Sequence, residues 1–186
     1  AQAAAMAMGR AMDDVIISAA TGTSFTGETG STSTVLPSAQ KITEGSTAGL
    51  TIAKLRTAKQ TFDLNSVDPS IPRFIIVSPR QINDLLGTTE VTSSDFNTVK
   101  ALANGEINSF IGFNFIVSNR LSIASSKRLC IAFAQDGITL AVGKDVQARI
   151  DERADKSYAT QVYYCMSIGA TRMEEEKIVS IEAHEA

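Results

Sequence analysis

Apolar residues recur along this chain with two periods, and each change of period marks an element. Over residues 2–20, Met8, Met12, Val15 and Ala19 fall three or four apart with Ile16 beside them, which predicts one long helix. Gly9 weakens it by about 1 kcal/mol relative to alanine. Ala3, Ala4, Ala5 and Ala7 are small enough to let another backbone approach, from the same domain or from a neighbouring chain. A second helix is predicted over residues 48–62, led in by Gly45-Ser46-Thr47. Ile52, Leu55, Ala58 and Phe62 share one face; Lys54, Arg56, Lys59 and Gln60 largely occupy the other, read as solvated. Between the two helices, residues 21–34 are nearly all Thr, Ser and Gly and read as loop. Residues 63–72 are a connector, because Asp68-Pro69 and Ile71-Pro72 favour extended or turn geometry.

The best-punctuated stretch is residues 73–121. Arg73-Phe74-Ile75-Ile76-Val77-Ser78 is a short run rich in β-branched residues, the form of a strand covered on both faces. Ser78-Pro79-Arg80-Gln81 then opens a helix: Pro79 suits the first helical position and Gln81 closes a capping box with Ser78. Leu85-Leu86-Gly87 ends it, with Gly87 free to turn left-handed. A further helix is predicted from Ser94, with Phe96, Val99 and Leu102 on one face and Asn104-Gly105 as the stop. Ile107 and residues 110–117 are strand material, and residues 118–126 a polar connection.

Residues 128–134 form another strand, and Gln135-Asp136-Gly137 turns the chain so that residues 138–142 return antiparallel. From Val146 the period is two: Val146, Ala148 and Ile150 alternate with polar residues. A mixed-charge tip, residues 151–156, leads to a long strand over 159–169 and a final one over 177–183. These long strands are expected to form a second region joined in space to the first helix.

Composition narrows the function classes. The chain has 186 residues, a hydrophobic fraction of 44% and a charged fraction of 20%, enough for one domain with a real core or two small lobes. Seventeen basic and 20 acidic residues give a formal charge of −3, so DNA would be met only through weak non-specific contact. No run approaches the length of a membrane span. Residues 1–8 lack a basic leader, so no signal peptide is read there. Cys130 and Cys165 lie far apart among apolar neighbours; two buried free thiols are the reading, with a disulfide open until geometry is known.

Candidate chemistry is sparse. His184 is the only histidine and falls in a probable-tail position, a poor place for a triad. One His and two distant Cys do not supply a zinc site. No cofactor is expected. Gly27-Glu28-Thr29-Gly30-Ser31 lacks the Lys and the preceding strand of a nucleotide loop. Phe110, Phe113 and Phe115 could stack bases, but core packing explains them more simply. Asp13-Asp14 and Glu174-Glu175-Glu176 read as charged surface, or as subunit salt bridges.

Taken in order, these pieces resemble the major capsid proteins of tailed bacteriophages, whose fold is named after phage Hong Kong 97. The residues that carry the resemblance are Arg10-Ala11-Met12-Asp13-Asp14 in a long spine-like helix, Phe74 to Pro79, Leu85-Leu86, Gly105-Glu106-Ile107, Ile111-Gly112-Phe113 with Ser118-Asn119, Ser167 to Arg172, and Lys177 to Ile181. The resemblance implies an α+β fold with no enzymatic role: residues 48–142 as an axial domain, and residues 1–47 with 143–186 as peripheral-domain helix, strands and C-terminal tail. It implies a virion shell of pentamers and hexamers, assembled in the host cytoplasm, with portal, scaffold or decoration proteins as further partners. The family's N-terminal arm and extended loop have no counterpart ahead of the first helix, so the chain reads as truncated. Candidate subunit contacts are Arg10, Asp13, Asp14, Asp151, Glu152, Arg153, Asp155, Lys156, Glu174 and Glu175. An encapsulin shell is the alternative within this class. A small hydrolase would need a pocket with convergent titratable groups, and a ligand-binding module would need exposed aromatic residues.

Overall fold

The computed structural model describes residues 2–43, 48–87 and 109–185. The helix expected from Ser94 to Leu102 lies outside them. Helix α1 (Gln2–Thr21) is followed by a small hairpin, β1 (Ser24–Thr26) and β2 (Thr32–Thr34). Residues 21–34 are therefore not simply loop. Alternating Thr and Ser suit a pleated backbone, and Gly27 and Gly30, with φ of 91° and 61°, supply the reversal.

The core is a seven-stranded mixed sheet in the order β3 (Lys41–Ile42), β11 (Ile178–His184), β8 (Lys127–Ala134), β4 (Arg73–Val77), β6 (Phe113–Val117), β5 (Ser109–Phe110), with β7 (Ile123–Ala124) also paired to β8. β4 is central, antiparallel to β8 and parallel to β6, and its Ile75, Ile76 and Val77 are buried. Helix α2 (Ile52–Leu64) packs against β11 and β3. It buries Leu55, Ala58 and Phe62 as its periodicity predicts, and the Phe62 ring meets Phe113 at 6.0 Å. It starts later than expected, capped by Thr51, whose Oγ1 accepts from the Lys54 N–H at 3.4 Å.

Helix α3 (Pro79–Leu86) follows β4 at once, with Pro79 in the first turn and Gln81 Oε1 accepting from the Ser78 N–H at 2.9 Å. Gly87 is not left-handed: its φ is −75°, and its N–H simply donates to Asn83 O at 3.0 Å. The left-handed positions lie elsewhere. Phe110 pairs with Phe113 across a two-residue turn in which Ile111 and Gly112 have φ of 53° and 84°, the geometry of a tight hairpin. A β-branched residue is costly there. Ile111 still packs against the core, which compensates for its backbone.

Two expectations about pairing are corrected. Residues 138–142 do not return along β8, because both edges of β8 are already occupied, by β11 and β4. Instead they begin β9 (Ile138–Arg153), which among the described residues pairs only with β10 (Ala159–Arg172), as a separate ribbon. The last strand, β11, belongs to the sheet and not with the ribbon: it inserts between β3 and β8. Residue 184 is thus no tail. His184 is half-buried in β11, and its N–H donates to Ala48 O at 3.1 Å. The sheet takes β3 and β11 from outside residues 48–142. At the turn into β9, Gly137 is required by close approach and not by positive φ. A Cβ there would come within 3.0 Å of the Lys177 carbonyl oxygen.

Helix α1 packs on the base of the ribbon, as expected. Its deepest residues are Ile17 and Ala20; Met8, Met12, Val15 and Ala19 are half-buried. The inward stripe at its C-terminal end therefore lies one position from the predicted one.

Candidate assembly surfaces

The ribbon is the most unusual surface of the molecule. Cross-strand pairing puts Ile150 opposite Val162 and Ala148 opposite Tyr164; beyond a double register shift, Val142 pairs with Ile168 and Leu140 with Ala170. Paired residues share a face, so these form one apolar stripe. Near the base the stripe is partly covered: Tyr164, Met166, Ile168 and Ala170 are half-buried on the strand that α1 packs against. Further out it is open, with Ile150 65% and Val162 47% exposed. At the tip, Ser157 and Tyr158 both have positive φ, 53° and 58°, and Tyr158 is 72% exposed.

The base of the ribbon is held by Arg172. Its guanidinium is buried and donates to Ala20 O at 3.2 Å, Gly22 O at 2.7 Å and Thr34 O at 2.9 Å. It thus ties the C-terminus of α1 to the end of β2 and to β10. Burial lowers its pKa from the ordinary arginine value, but a guanidinium stays charged at neutral pH. Nothing in the local pattern around residue 172 signals this role.

The ten charged candidates do not form one site. Arg10 lies on α1 and donates from Nε to Met6 O of its own helix at 3.2 Å. Asp14 pairs with Arg120, which follows β6, and this hydrogen bond lowers the Asp14 pKa; Asp13 lies close enough to act on the same arginine. Asp151, Glu152, Arg153, Asp155 and Lys156 are gathered at the exposed ribbon tip, where Arg153 Nη2 donates to Asp155 Oδ2 at 2.5 Å. Glu174 pairs with Lys177 at 3.0 Å. Glu175 sits at the ribbon base, where its charge favours protonated Arg172. Four of the ten, Asp14, Arg153, Asp155 and Glu174, already have ion-pair partners in their own chain.

A second polar centre was not visible in the sequence pattern. Glu185 Oε1 accepts from Ser78 Oγ at 2.9 Å, Gln81 Nε2 at 2.6 Å and Arg128 Nε at 2.7 Å, joining the start of α3 to β8. Burial alone would raise this carboxyl; the hydrogen bonds from Arg128, Gln81 and Ser78 outweigh it and hold the pKa at about 2, against an ordinary value of 4.5. A depressed carboxylate contributes stability above its unfolded pKa and loses that contribution as pH falls through the folded one. Chemical denaturation between pH 5 and pH 2 is therefore expected to show a steeper loss of stability than in Glu185→Gln; parallel pH profiles would refute it.

Among the described residues no group of three His, Cys, Asp or Glu could hold a metal ion, and no helix is long and apolar enough to cross a membrane. Cys130 and Cys165 are free thiols. Cys130 is buried, and its thiol is pushed up to about 12 by that burial; Cys165 is half-buried. An open cleft of about 550 Å³ runs beneath α2, lined by Lys59, Asp63, Pro69, Pro72, Arg73 and Asn114. Ser66 and Ser70 also line it, and its Arg73 is already paired with Asp63 at 2.8 Å.

Comparison with known proteins agrees with this geometry. A family model described as phage capsid protein matches residues 1–185. No curated protein matches the chain. Among solved structures, the capsid of cyanophage P-SCSP1u is 19% identical with a TM-score of 0.67, over 100% of this chain and 66% of that one. A protein of Mycobacterium phage Che8 is 17% identical with a TM-score of 0.62, over 97% and 61%. The holo-SrpI encapsulin complex from Synechococcus elongatus is less similar, at 10% identity and a TM-score of 0.55, over 81% and 55%. At these identities the likeness is one of fold, and it is the α+β fold expected from the sequence. The chain spans about three fifths to two thirds of the length of the two phage proteins.

Proposed function

This chain belongs to the phage capsid protein family, and from that membership we propose that it is a tiling subunit of an icosahedral shell around viral DNA. The observation that carries this reading is the ribbon. Two strands spanning roughly 50 Å stand apart from the sheet, with every residue of β9 from 139 to 153 exposed. An isolated two-stranded ribbon is marginal in water. One with an apolar stripe gains stability only when something covers it. A second copy does so naturally, since closed shells repeat heterologous contacts in which different surfaces of the same subunit meet.

On this reading the seven-stranded sheet with α2 and α3 is the axial domain and surrounds the axes of pentamers and hexamers. Helix α1 and the β9–β10 ribbon are the peripheral domain. The terminal strand β11 goes with the axial domain, a change from the division by sequence position. The work of the subunit is mechanical: no step needs a catalytic group. The protein is then a component of the virion, assembled in the bacterial cytoplasm. Portal, scaffold and decoration proteins are further partners, and DNA is met through weak non-specific contact. An encapsulin shell is a second reading supported by the fold likeness; particles filled with protein in place of nucleic acid would favour it.

The ribbon tip fixes register through charge. In the full-length protein, Arg153→Glu with Lys156→Glu is expected to prevent regular shells while the subunit stays folded. The Arg153–Asp155 pair it breaks is exposed, and such pairs contribute little to stability. Shells of normal size and number by electron microscopy would remove the tip from the contact. Failure of the unmodified full-length protein to form any closed particle would overturn the shell reading itself.

A further inference from the structure

Opposite its apolar stripe the ribbon carries a polar face with an unusual construction. From Ala159↔Arg153 to Cys165↔Gln147 the strands pair regularly, but the next pairs are Ser167↔Lys144 and Ile168↔Val142. Over that interval β9 contains two more residues than β10. Such bulges bend a strand and re-aim its side chains. In an unbroken strand Lys144 would point away from Gln147 and Arg149. Here Lys144, Gln147 and Arg149 line one cleft of about 360 Å³ together with Asp151, Gln161, Tyr163 and Cys165.

The lining is rich in donors: an ammonium, a guanidinium, two carboxamides and a phenol, against one carboxylate. None of these side chains makes a hydrogen bond or ion pair with a described residue. Two cations against the single carboxylate of Asp151 leave this face with a net positive charge, which favours an anionic partner. We propose that this face receives a carboxylate-bearing segment of a second copy of the chain, an inference that rests on the shell-subunit reading. The chain has the complementary surplus, with 20 acidic residues against 17 basic, and exposed carboxylates such as Glu152 and Glu176 have no ion-pair partner among the described residues. A nucleic-acid backbone fits less well. It is tracked by rows of cations, and this cleft offers two, with Asp151 beside them. The double bulge thus acts as a specificity device: it turns one lysine through the strand to make a two-cation receptor.

The test uses full-length particles assembled from equal amounts of isotope-labelled and unlabelled chains. A water-soluble carbodiimide, which joins an amine directly to a carboxylate, is followed by mass spectrometry. Lys144 is expected to link to a Glu or Asp of another copy, giving mixed-label peptides. Lys144→Glu with Arg149→Glu is expected to lower particle yield roughly tenfold or more, with unchanged circular dichroism of the subunit. The inference fails if Lys144 links only within its own chain, or if the double variant assembles like the parent. It fails equally if that variant assembles but loses nucleic acid, which would make phosphate the occupant. These outcomes leave the shell reading intact, whereas a parent protein that forms no particles sinks both.

Discussion

Replacing Lys54 by alanine is expected to cost about 3–5 kcal/mol of unfolding free energy, the largest effect of any single substitution considered. Lys54 is 2% exposed. Its ammonium donates to Ala48 O and Gly49 O at 3.0 Å each and to Glu182 O at 2.8 Å. It therefore binds the loop before α2 to the middle of β11, across most of the sequence. Its position in the first turn of α2 sets it at the unfavourable end of the helix dipole, and these hydrogen bonds help to offset both that and desolvation. Each hydrogen bond to a charged group contributes about 1.5–3 kcal/mol, and removing the donor leaves the carbonyls short of a partner. Lys54→Met keeps most of the buried stem, so it should lose less than alanine but remain well below the parent. Urea unfolding followed by circular dichroism measures both. An alanine variant within 1 kcal/mol of the parent would mean that water replaces the ammonium and that the clamp is not structural.

Arg172→Met is the second large effect, and its signature is local. The substitution removes three donors from Ala20 O, Gly22 O and Thr34 O, a loss of about 3 kcal/mol. Helix α1 buries only Ile17 and Ala20 among its described residues, so little apolar contact remains to hold it once this tie is gone. Hydrogen exchange in α1 and the β1–β2 hairpin should accelerate strongly, while β8 and β11, paired on both sides, keep their protection. Uniform acceleration throughout would show instead that Arg172 supports the global fold. Unchanged exchange in α1 would show that its packing on β10 suffices alone.

These residues mark the limit of what could be read from the chain. Lys54 sits among Arg56, Lys59 and Gln60 and was assigned with them to the solvated face. Its burial depends on a carbonyl 128 residues away, which no local period reports. For Glu185, nothing in the neighbouring sequence predicts that Ser78, Gln81 and Arg128 converge on it. The capping box at Ser78 was legible, but the fact that its Gln81 also serves a distant carboxylate was not. Ile111 at positive φ was hidden for another reason: the turn is imposed by the pairing of Phe110 with Phe113, against the preference of the residue that makes it.

What the sequence determined by itself was the set of pieces. Alternation and helical spacing reflect which side of a segment is apolar, a property of neighbouring residues; hence α2, β4, the cap of α3, β8 and the ribbon tip were all found near their places. Only the tertiary structure decided which strands lie side by side. β8 offers two edges, and β11 and β4 take them, so β9 is excluded and runs out as a ribbon while the end of the chain returns to the sheet. That competition for edges, and the buried cations and half-buried carboxylate whose partners it assembles, depends on contacts between residues far apart in the chain, which no local period encodes.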